Sequence, residues 1–236
     1  MKNSGIKSSA LVLFSAAVFA SAFMFGCSDT VTSTNNTTTT TDNLSVSAMS
    51  DDNITDNSSD SIIIDEAKAL INEVEFEQEP SGTEQEVHIT PFVVHFDVNG
   101  GLTTLITGKV PAGSYNKIKF KIHKPEDNET PSDPEFKEGS SGNQRYSFIV
   151  KGRINGIPFV YKSRKTAELV INLNSSVTVN DSRNITVVFN KNFWFRNGSI
   201  ILDPRNSQND DTIDDNIKNS FRHAFRDDDK NGHEDN

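Results

Sequence analysis

The sequence predicts a mainly β protein, an antiparallel β-sandwich with one C-terminal amphipathic helix. Residues Lys117–Lys124 alternate apolar and basic side chains, the pattern of a strand with one buried face. Asn155-Gly156 lies between two apolar runs, which is the strongest short-range signal of a β-hairpin. Many short runs of this kind, separated by turn residues with almost no helical pattern between them, favour a sandwich.

The first 26 residues have the layout of a secretory signal peptide. Lys2 and Lys7 precede an apolar stretch, Ala10–Phe25, whose 16 residues fall short of the roughly 20 that a membrane-spanning helix needs. Cys27, the single cysteine of the chain, comes directly after this segment. We therefore expect residues 1–26 to be removed and the mature chain to begin at Cys27, without an internal disulfide.

Residues 27–60 are rich in Ser, Thr, Asn and Asp and contain few apolar side chains. Such a composition buries too little apolar surface to offset the entropy of ordering the chain. We expect a flexible tether with a reach of roughly 30 Å, followed by a sandwich domain at residues 61–204. Residues 205–236 are expected to add the helix and an acidic tail.

The segment 61–78 fits two patterns. The positions that a helix would place on one face are Ile63, Ala67, Leu70, Ile71 and Val74. Against a helix, Ile62–Ile64 is a β-branched run, and alternate positions from Leu70 to Phe76 share a face as they do in a strand. The sequence favours a long first strand, with a bulge, over the helix.

Strands in the middle of the domain follow from alternation. Phe92–Val98 places its apolar side chains on one face and ends at the turn Asn99–Gly101. In Lys117–Lys124 the inward positions are Ile118, Phe120 and Ile122. Later strands are predicted at Ala167–Leu173, Asn184–Asn190 and Gly198–Leu202.

A two-residue type I′ turn at Asn155-Gly156 fixes the register of the hairpin around it. The pairs that it predicts are Ile154 with Ile157, Gly152 with Phe159, Val150 with Tyr161 and Phe148 with Ser163. In this register Pro158 lies opposite Arg153, and its missing N–H faces away from the partner strand. We therefore expect Ile157–Ser163 to be an edge strand near Pro158.

The C-terminal helix is predicted from apolar residues at every fourth position, which are Ile213, Ile217, Phe221 and Phe225. Asp211 or Thr212 can cap its start. Arg222 and Arg226 suit the negative C-terminal end of the helix dipole. The apolar stripe must cover the sandwich or its open end.

The segment Met24–Cys27 resembles the lipobox of bacterial lipoproteins, whose cysteine becomes the acylated first residue of the mature protein. Residues 62–203 resemble a family of bacterial lipoprotein domains of unknown function, through the turn-and-strand segment Val110–Ile118, Phe189 and the closing segment Ile200–Pro204. The resemblance implies a β-sandwich on a lipid anchor in the cell envelope, at the outer membrane or cell surface. It implies no established chemistry.

Residues 227–235 follow the spacing D-x-D-x-N-G-x-x-D, which is similar to the first nine positions of an EF-hand calcium loop. The ligands that it would offer are the side chains of Asp227, Asp229, Asn231 and Asp235 and the main-chain carbonyl of His233. No glutamate follows at position 12, so calcium binding in the roughly millimolar range is expected. A frayed acidic tail is the alternative.

Other residues were weighed as sites. His88, His95 and His123 have spacings that match no compact metal-ligand pattern, so we interpret them as solvated side chains. The loop Pro125–Glu138 is acid-rich, but a carboxylate pair for glycoside hydrolysis could be drawn from almost any acidic protein, and no G-x-S-x-G serine is present. Trp194, the only tryptophan, belongs either to the core or to an exposed platform for a sugar ring.

Charge is unevenly distributed along the chain. Residues 51–86 carry twelve acids and one base, Lys68, whereas residues 87–202 carry nine acids and fifteen bases. The bases alternate with apolar residues, as on a solvated sheet face, and the acidic flanks would repel a duplex. We expect no nucleic-acid partner.

These features favour a non-enzymatic binding or structural module, anchored to a membrane through the lipid on Cys27 and contacting a protein or glycan partner. Two alternatives stay open. One is a carbohydrate-handling accessory protein or enzyme, and the other is a calcium-dependent adhesion module that depends on the acidic tail. Calcium is the one cofactor that the sequence suggests.

Overall fold

The structure, a computed structural model, describes residues 42–51, 61–88 and 90–236. These residues are mainly in strands, as predicted. The strands are β1 (Leu44–Ser50), β2 (Ile62–Glu79), β3 (Thr83–His88), β4 (Phe92–Phe96), β5 (Thr103–Gly108), β6 (Gly113–Ile122), β7 (Phe148–Ile154), β8 (Ile157–Ser163), β9 (Ala167–Val179), β10 (Arg183–Phe189), β11 (Arg196–Asn197), β12 (Ile200–Ile201) and β13 (Phe221–Arg226). One α-helix, α1 (Asp210–Ser220), precedes β13.

The main sheet is mixed rather than antiparallel throughout. Its strand order is β5-β1-β10-β13-β9-β6-β2-β7-β8, and β3 and β4 also pair with β2. Two pairings are parallel, β1 with β10 and β13 with β9. The antiparallel prediction is wrong for these pairs, because alternation of side chains indicates which face is buried but not which strand lies alongside.

The prediction of a long strand with a bulge is confirmed by β2. This strand is not the first of the chain, because β1 precedes it. Its register shifts between Ile64 and Glu66 against β7, and between Ile71 and Glu73 against β6, as bulges require. The first half of β2 pairs with β7 and β4, and the second half with β6 and β3. The helical alternative is wrong, because both edges of this strand find backbone partners.

The hairpin β7–β8 has the predicted register at every one of the four pairs. Asn155 and Gly156 have φ angles of 52° and 80°, the left-handed conformation that a type I′ turn needs at both positions. Pro158 lies opposite Arg153. The order of the sheet ends at β8, so the predicted edge strand is confirmed.

Part of the predicted tether is a strand. β1 lies within residues 27–60 and is paired on both edges, by β5 and β10. Val46 and Ala48 are buried in the core, whereas Ser45 and Ser47 donate hydrogen bonds to the Asn184 side chain, at 2.7 Å and 2.9 Å. The tether prediction is wrong here. Asn184, which lies far along the chain, accepts hydrogen bonds from these serines, and so their hydroxyl groups are satisfied within the sheet.

The C-terminal helix is shorter than predicted. α1 buries Ile213 and Ile217 but ends at Ser220, and Phe221 and Phe225 belong to β13. A spacing of four residues keeps two side chains on one face of a helix and also on one face of a strand, so the pattern could not locate the helix end.

The start of α1 also differs from the prediction. Its N-cap is Asn209, without a capping hydrogen bond from the side chain, rather than Asp211 or Thr212. β13 then lies between β10 and β9. The described residues on both sides of position 204 therefore belong to one compact unit, and β13 joins the C-terminal segment to the sheet.

Candidate functional site

The connection from β6 to β7, residues 123–147, packs on β2 and β7, and we call it the covering loop. It contains a short 3-10 helix, Pro134–Phe136, and the Asp133 carboxylate caps its start by accepting the Glu135 N–H. The phenylalanine of this turn is fully buried against Leu70 and Ile149. The acid-rich loop of the sequence is therefore fixed to the outer face of the sheet.

Beneath the covering loop, Lys68 of β2 is only 3 % exposed although it carries a charge. Its ammonium group contacts Asp133, Glu135 Oε2 at 2.5 Å and Glu66 Oε1 at 3.2 Å. It also lies 5.8 Å from the centre of the Phe136 ring. A buried ammonium needs such partners, so the lysine ties the covering loop to the strand below.

Two further lysines extend this group of ion pairs across β7 and β8. Lys151 contacts Glu135 at 2.7 Å and Glu66 at 3.2 Å. Lys162 contacts Glu138 at 2.5 Å. The whole set, which we call the lysine cluster, consists of Lys68, Lys151, Lys162, Glu66, Asp133, Glu135 and Glu138.

In five residues of the lysine cluster, which are Lys68, Lys151, Glu66, Asp133 and Glu135, the pKa shifts favour the charged forms. Burial would lower the pKa of Lys68, but hydrogen bonds with Asp133, Glu135 and Glu66 outweigh burial and raise it. Burial likewise opposes ionisation of Asp133 and Glu66, yet their contacts with lysine hold both pKa values below the usual range. Lys151 and Lys68 lower the pKa of Glu135. Near neutral pH these groups are therefore ionised, and their ion pairs hold the loop.

Two clefts border the covering loop and share Arg145 and Asp127. Their volumes are about 450 Å³ and about 510 Å³. Arg145 is 8 % exposed, and its Nη2 donates to the Ser140 carbonyl at 2.5 Å and to the Asp127 carboxylate. The Asp127 side chain is itself 89 % exposed. A ligand carboxylate could therefore take the place of Asp127 on a guanidinium that is already oriented.

Three carboxylates meet where the second half of β2 pairs with β3. Oxygens of Glu73, Glu75 and Glu86 lie within 4.8 Å of one another, and in the part of the chain that the structure describes no other three acidic or histidine side chains do so. Lys121 Nζ lies 2.7 Å from Glu73 and 3.3 Å from Glu75. The neighbouring carboxylate of Glu73, with burial, raises the pKa of Glu75. Lys121 already supplies the positive charge that this group needs.

The predicted calcium residues form a closed loop over β10 and β1. Asp227 is fully buried, and its carboxylate accepts hydrogen bonds from the Thr186 hydroxyl at 2.7 Å and the main-chain N–H groups of Asn231 and Gly232 at 2.9 Å and 3.1 Å. Asp229 accepts the Asn231 side chain at 2.8 Å. The frayed-tail alternative is wrong, because these bonds order the loop.

The rest of this loop is also hydrogen-bonded within the chain. The Asn231 side chain accepts the His233 N–H at 2.8 Å, and Asp235 accepts the Asp228 N–H at 2.6 Å. Its acidic side chains are not among the carboxylates that meet in threes. These oxygens already accept hydrogen bonds from main-chain and side-chain donors of the protein, so calcium would have to displace those donors. Calcium binding stays a prediction.

Trp194 belongs to the core, and the exposed platform is wrong. Its side chain is fully buried, and its Nε1–H donates to the Ser220 hydroxyl at 2.7 Å. The indole stacks on Phe189 with ring centres 5.7 Å apart and meets Phe148 edge-on at 5.6 Å. A sugar could not reach this ring without opening the core.

The remaining candidate residues do not converge on a site. His123 contacts Glu129 at 2.5 Å, and His95 is exposed on β4. Cys27 and the predicted lipobox lie outside the described residues. Sequence reasoning missed Lys68 as a site residue, and the only signal was its position as the one base among residues 51–86.

The comparisons with known proteins add no relative. No protein family, no curated protein and no solved structure matches this chain. Among the described residues, no helix is long and apolar enough to cross a membrane.

Proposed function

We propose that this protein is a lipid-anchored module of the cell envelope, held by acylated Cys27, which binds a partner without catalysing a reaction. The covering loop and its two clefts form the binding surface. We also propose that the curled sheet packs as two facing layers, since the two halves of β2 pair with different sets of strands.

The observation that carries the binding role is the burial of Lys68 under the covering loop. Ion pairs hold the loop in one arrangement before any ligand arrives, and a preformed surface loses less conformational entropy on binding. The clefts at Arg145 are polar, which suits a hydroxylated or carboxylated ligand. A glycan is therefore the preferred partner class.

The carboxylates of the lysine cluster support binding over glycoside hydrolysis. A glycosidase needs one carboxylic acid whose pKa is raised, so that it can donate a proton. The pKa values of Glu66, Asp133 and Glu135 are lowered instead. These residues would stay ionised while a sugar occupied the neighbouring clefts.

The anchor is tested by metabolic labelling with palmitate in a bacterial host. The full chain should incorporate the label and sediment with membranes, whereas Cys27→Ser should lose the label and leave the membrane fraction. The Ser28→Ala variant is the matched control and should be labelled as the wild type is. Equal labelling of wild type and Cys27→Ser, or no label in either, would overturn the anchor.

The binding role is tested with a panel of neutral and uronic-acid oligosaccharides, titrated into the mature chain. Arg145→Lys should weaken binding of the uronic acids at least tenfold, because lysine cannot offer the two-pronged contact of a guanidinium. Arg153→Lys changes an arginine whose side chain is 46 % exposed, away from the clefts, and should bind as the wild type does. Absence of binding, or equal loss in both variants, would contradict the proposal.

A further inference from the structure

A third cleft adjoins the two that share Arg145, and we call it the Asn72 cleft after the β2 residue in its wall. Its volume is about 300 Å³, at the lower end of the range of about 300–1,000 Å³ for ligand pockets. His123 and Thr166 line the Asn72 cleft and also line the cleft of about 450 Å³ at Arg145. Because two residues belong to both walls, the two clefts are neighbours.

Asn72 reaches its cleft from a bulge in β2. Ile71 pairs with Ile122 and Glu73 pairs with Lys121, so Asn72 is the extra residue of β2 and has no partner on β6. Bulges re-aim side chains and are over-represented next to active sites. This bulge places a neutral amide in the wall of the cleft.

Two side-chain atoms in these neighbouring walls are buried without a hydrogen-bond partner among the described residues. They are Asn72 Oδ1 in the Asn72 cleft and Arg145 Nε in the cleft beside it. A buried polar atom without a partner is unfavourable. The Asn72 side chain as a whole is half-buried, and rotation about its terminal C–C bond, where the torsion is broad, turns the oxygen toward the cleft. A ligand hydroxyl can then donate to it.

The charges in the wall of the Asn72 cleft favour a neutral unit over an acidic one. Lys121 contacts Glu73 at 2.7 Å and Glu75 at 3.3 Å. The histidine of this wall, His123, contacts Glu129 at 2.5 Å. An acidic unit would therefore find no unengaged cation among the described residues of this wall, whereas a hydroxyl group finds an amide oxygen.

We propose that the ligand spans both clefts, with an acidic sugar at Arg145 joined to a neutral sugar whose hydroxyl donates to Asn72 Oδ1. This inference rests on the proposed function, because the acidic unit occupies the clefts of the covering loop. It adds that the protein recognises two joined sugars and that Asn72 sets the affinity for the second.

The test compares glucuronic acid with a disaccharide of glucuronic acid and galactose, each titrated calorimetrically into the mature chain. The disaccharide should bind about tenfold more tightly, the gain expected when one buried polar atom obtains its hydrogen bond. Equal affinities, or a weaker disaccharide, with both sugars weakened in Arg145→Lys, would leave the binding role standing and overturn the role of the Asn72 cleft. If neither sugar bound, the proposed function would fail, and this inference with it.

Two variants remove the amide, Asn72→Ala and Asn72→Val, and valine is well suited to a strand. Either variant should bind the disaccharide only as tightly as glucuronic acid, and an unchanged affinity for glucuronic acid shows that the clefts at Arg145 are intact. Asn116→Ala is the matched control, because Asn116 Oδ1 is likewise buried without a partner among the described residues but belongs to a cleft at the β2–β3 turn. This control should keep the full gain. Persistence of the gain in both Asn72 variants, or its equal loss in Asn116→Ala, would refute the role of Asn72.

Discussion

The two halves of β2 carry ion pairs of the same chemistry in different surroundings. In the first half, Lys68 is 3 % exposed beneath the covering loop. In the second half, the carboxylates of β2 face three lysines of β6, and the side chains of Lys117, Lys119 and Lys121 are 33 %, 14 % and 36 % exposed. Exposed pairs are worth about 0–1 kcal/mol, whereas an unpaired buried charge is strongly destabilising.

This difference indicates that the covering loop, and not the residue types on the strand, decides how much an ion pair contributes to stability. Both halves carry glutamates that form ion pairs with lysine. Only the first half is covered by a segment that brings its own carboxylates, and Asp133 lies 65 residues from Lys68 along the chain. The covered half should therefore control stability.

The largest expected effect is the loss of Lys68. Lys68→Met leaves Asp133 and Glu135 without their shared partner and should lower the free energy of unfolding by about 3 kcal/mol. This is the lower end of the range for a broken buried pair, because the carboxylates keep partial contact with water. Urea unfolding followed by emission of the buried Trp194 measures it.

The matched control is Lys117→Met, on the uncovered half of the sheet. Its side chain is 33 % exposed, its partner Glu77 also lies 3.8 Å from Lys119, and the expected loss is about 0–1 kcal/mol. If the two variants lost equal stability, burial by the covering loop would not be the deciding factor.

The second effect is the response to acid. Asp133, Glu135 and Glu66 have pKa values lowered in the folded state, so they contribute stability above their ordinary values of 3.8 and 4.5, and this is lost as the pH falls through the lowered values. The wild type should therefore lose unfolding free energy below about pH 4.5.

Lys68→Met should lose less stability over the same acid interval, because the lysine contact no longer depresses these pKa values. Urea unfolding at about pH 7, 5, 4 and 3.5, a range that extends below the ordinary carboxyl pKa values of 3.8 and 4.5, compares the two proteins. Parallel pH profiles for wild type and Lys68→Met would show that the lysine does not set the carboxylate pKa values.

The parts of the fold that follow from neighbouring residues could be predicted from the sequence. Asn155-Gly156 sets both the turn and the register of β7–β8, because its left-handed φ angles admit only one tight connection. Alternation likewise places Ile118 and Phe120 in the core. In these cases the physical cause lies within a few residues of the element.

The parts that depend on distant partners could not be predicted. The local sequence of β1 predicts a polar tether, because the Asn184 side chain that accepts hydrogen bonds from its serines lies far along the chain. The local sequence of β13 predicts a helix, because its pairing with β10 has no local signal. The lysine cluster could not be predicted for the same reason, because the residues next to Lys68 and Asp133 give no indication that these two side chains are in contact. Loop closure and strand placement decide these features, and neither can be inferred from a short stretch of neighbouring residues.

The smallest expected effect is at Glu75, in the second half of β2, where stability should change with pH in the opposite direction to that of the lysine cluster. The Glu73 carboxylate and burial raise the pKa of Glu75, so the protonated form is favoured in the folded state. Its contribution is present below the ordinary value of 4.5 and is lost as the pH rises through the raised value, the opposite of the lysine cluster. Glu75→Gln keeps a donor toward Glu73 at every pH.

Glu75→Gln should therefore stabilise the protein at pH 7 by about 0.2–1 kcal/mol, the size of one cross-strand charge contact, and should match the wild type near pH 4 (about half a unit below the ordinary glutamate value). Glu77→Gln is the control, because Glu77 contacts Lys117 at 2.7 Å and its loss should destabilise slightly or not at all. If Glu75→Gln were less stable than the wild type at pH 7, the contact of Glu75 with Lys121 would outweigh the repulsion from Glu73. The ion pairs in the two halves of β2 would then contribute to the free energy of unfolding with the same sign and differ only in size.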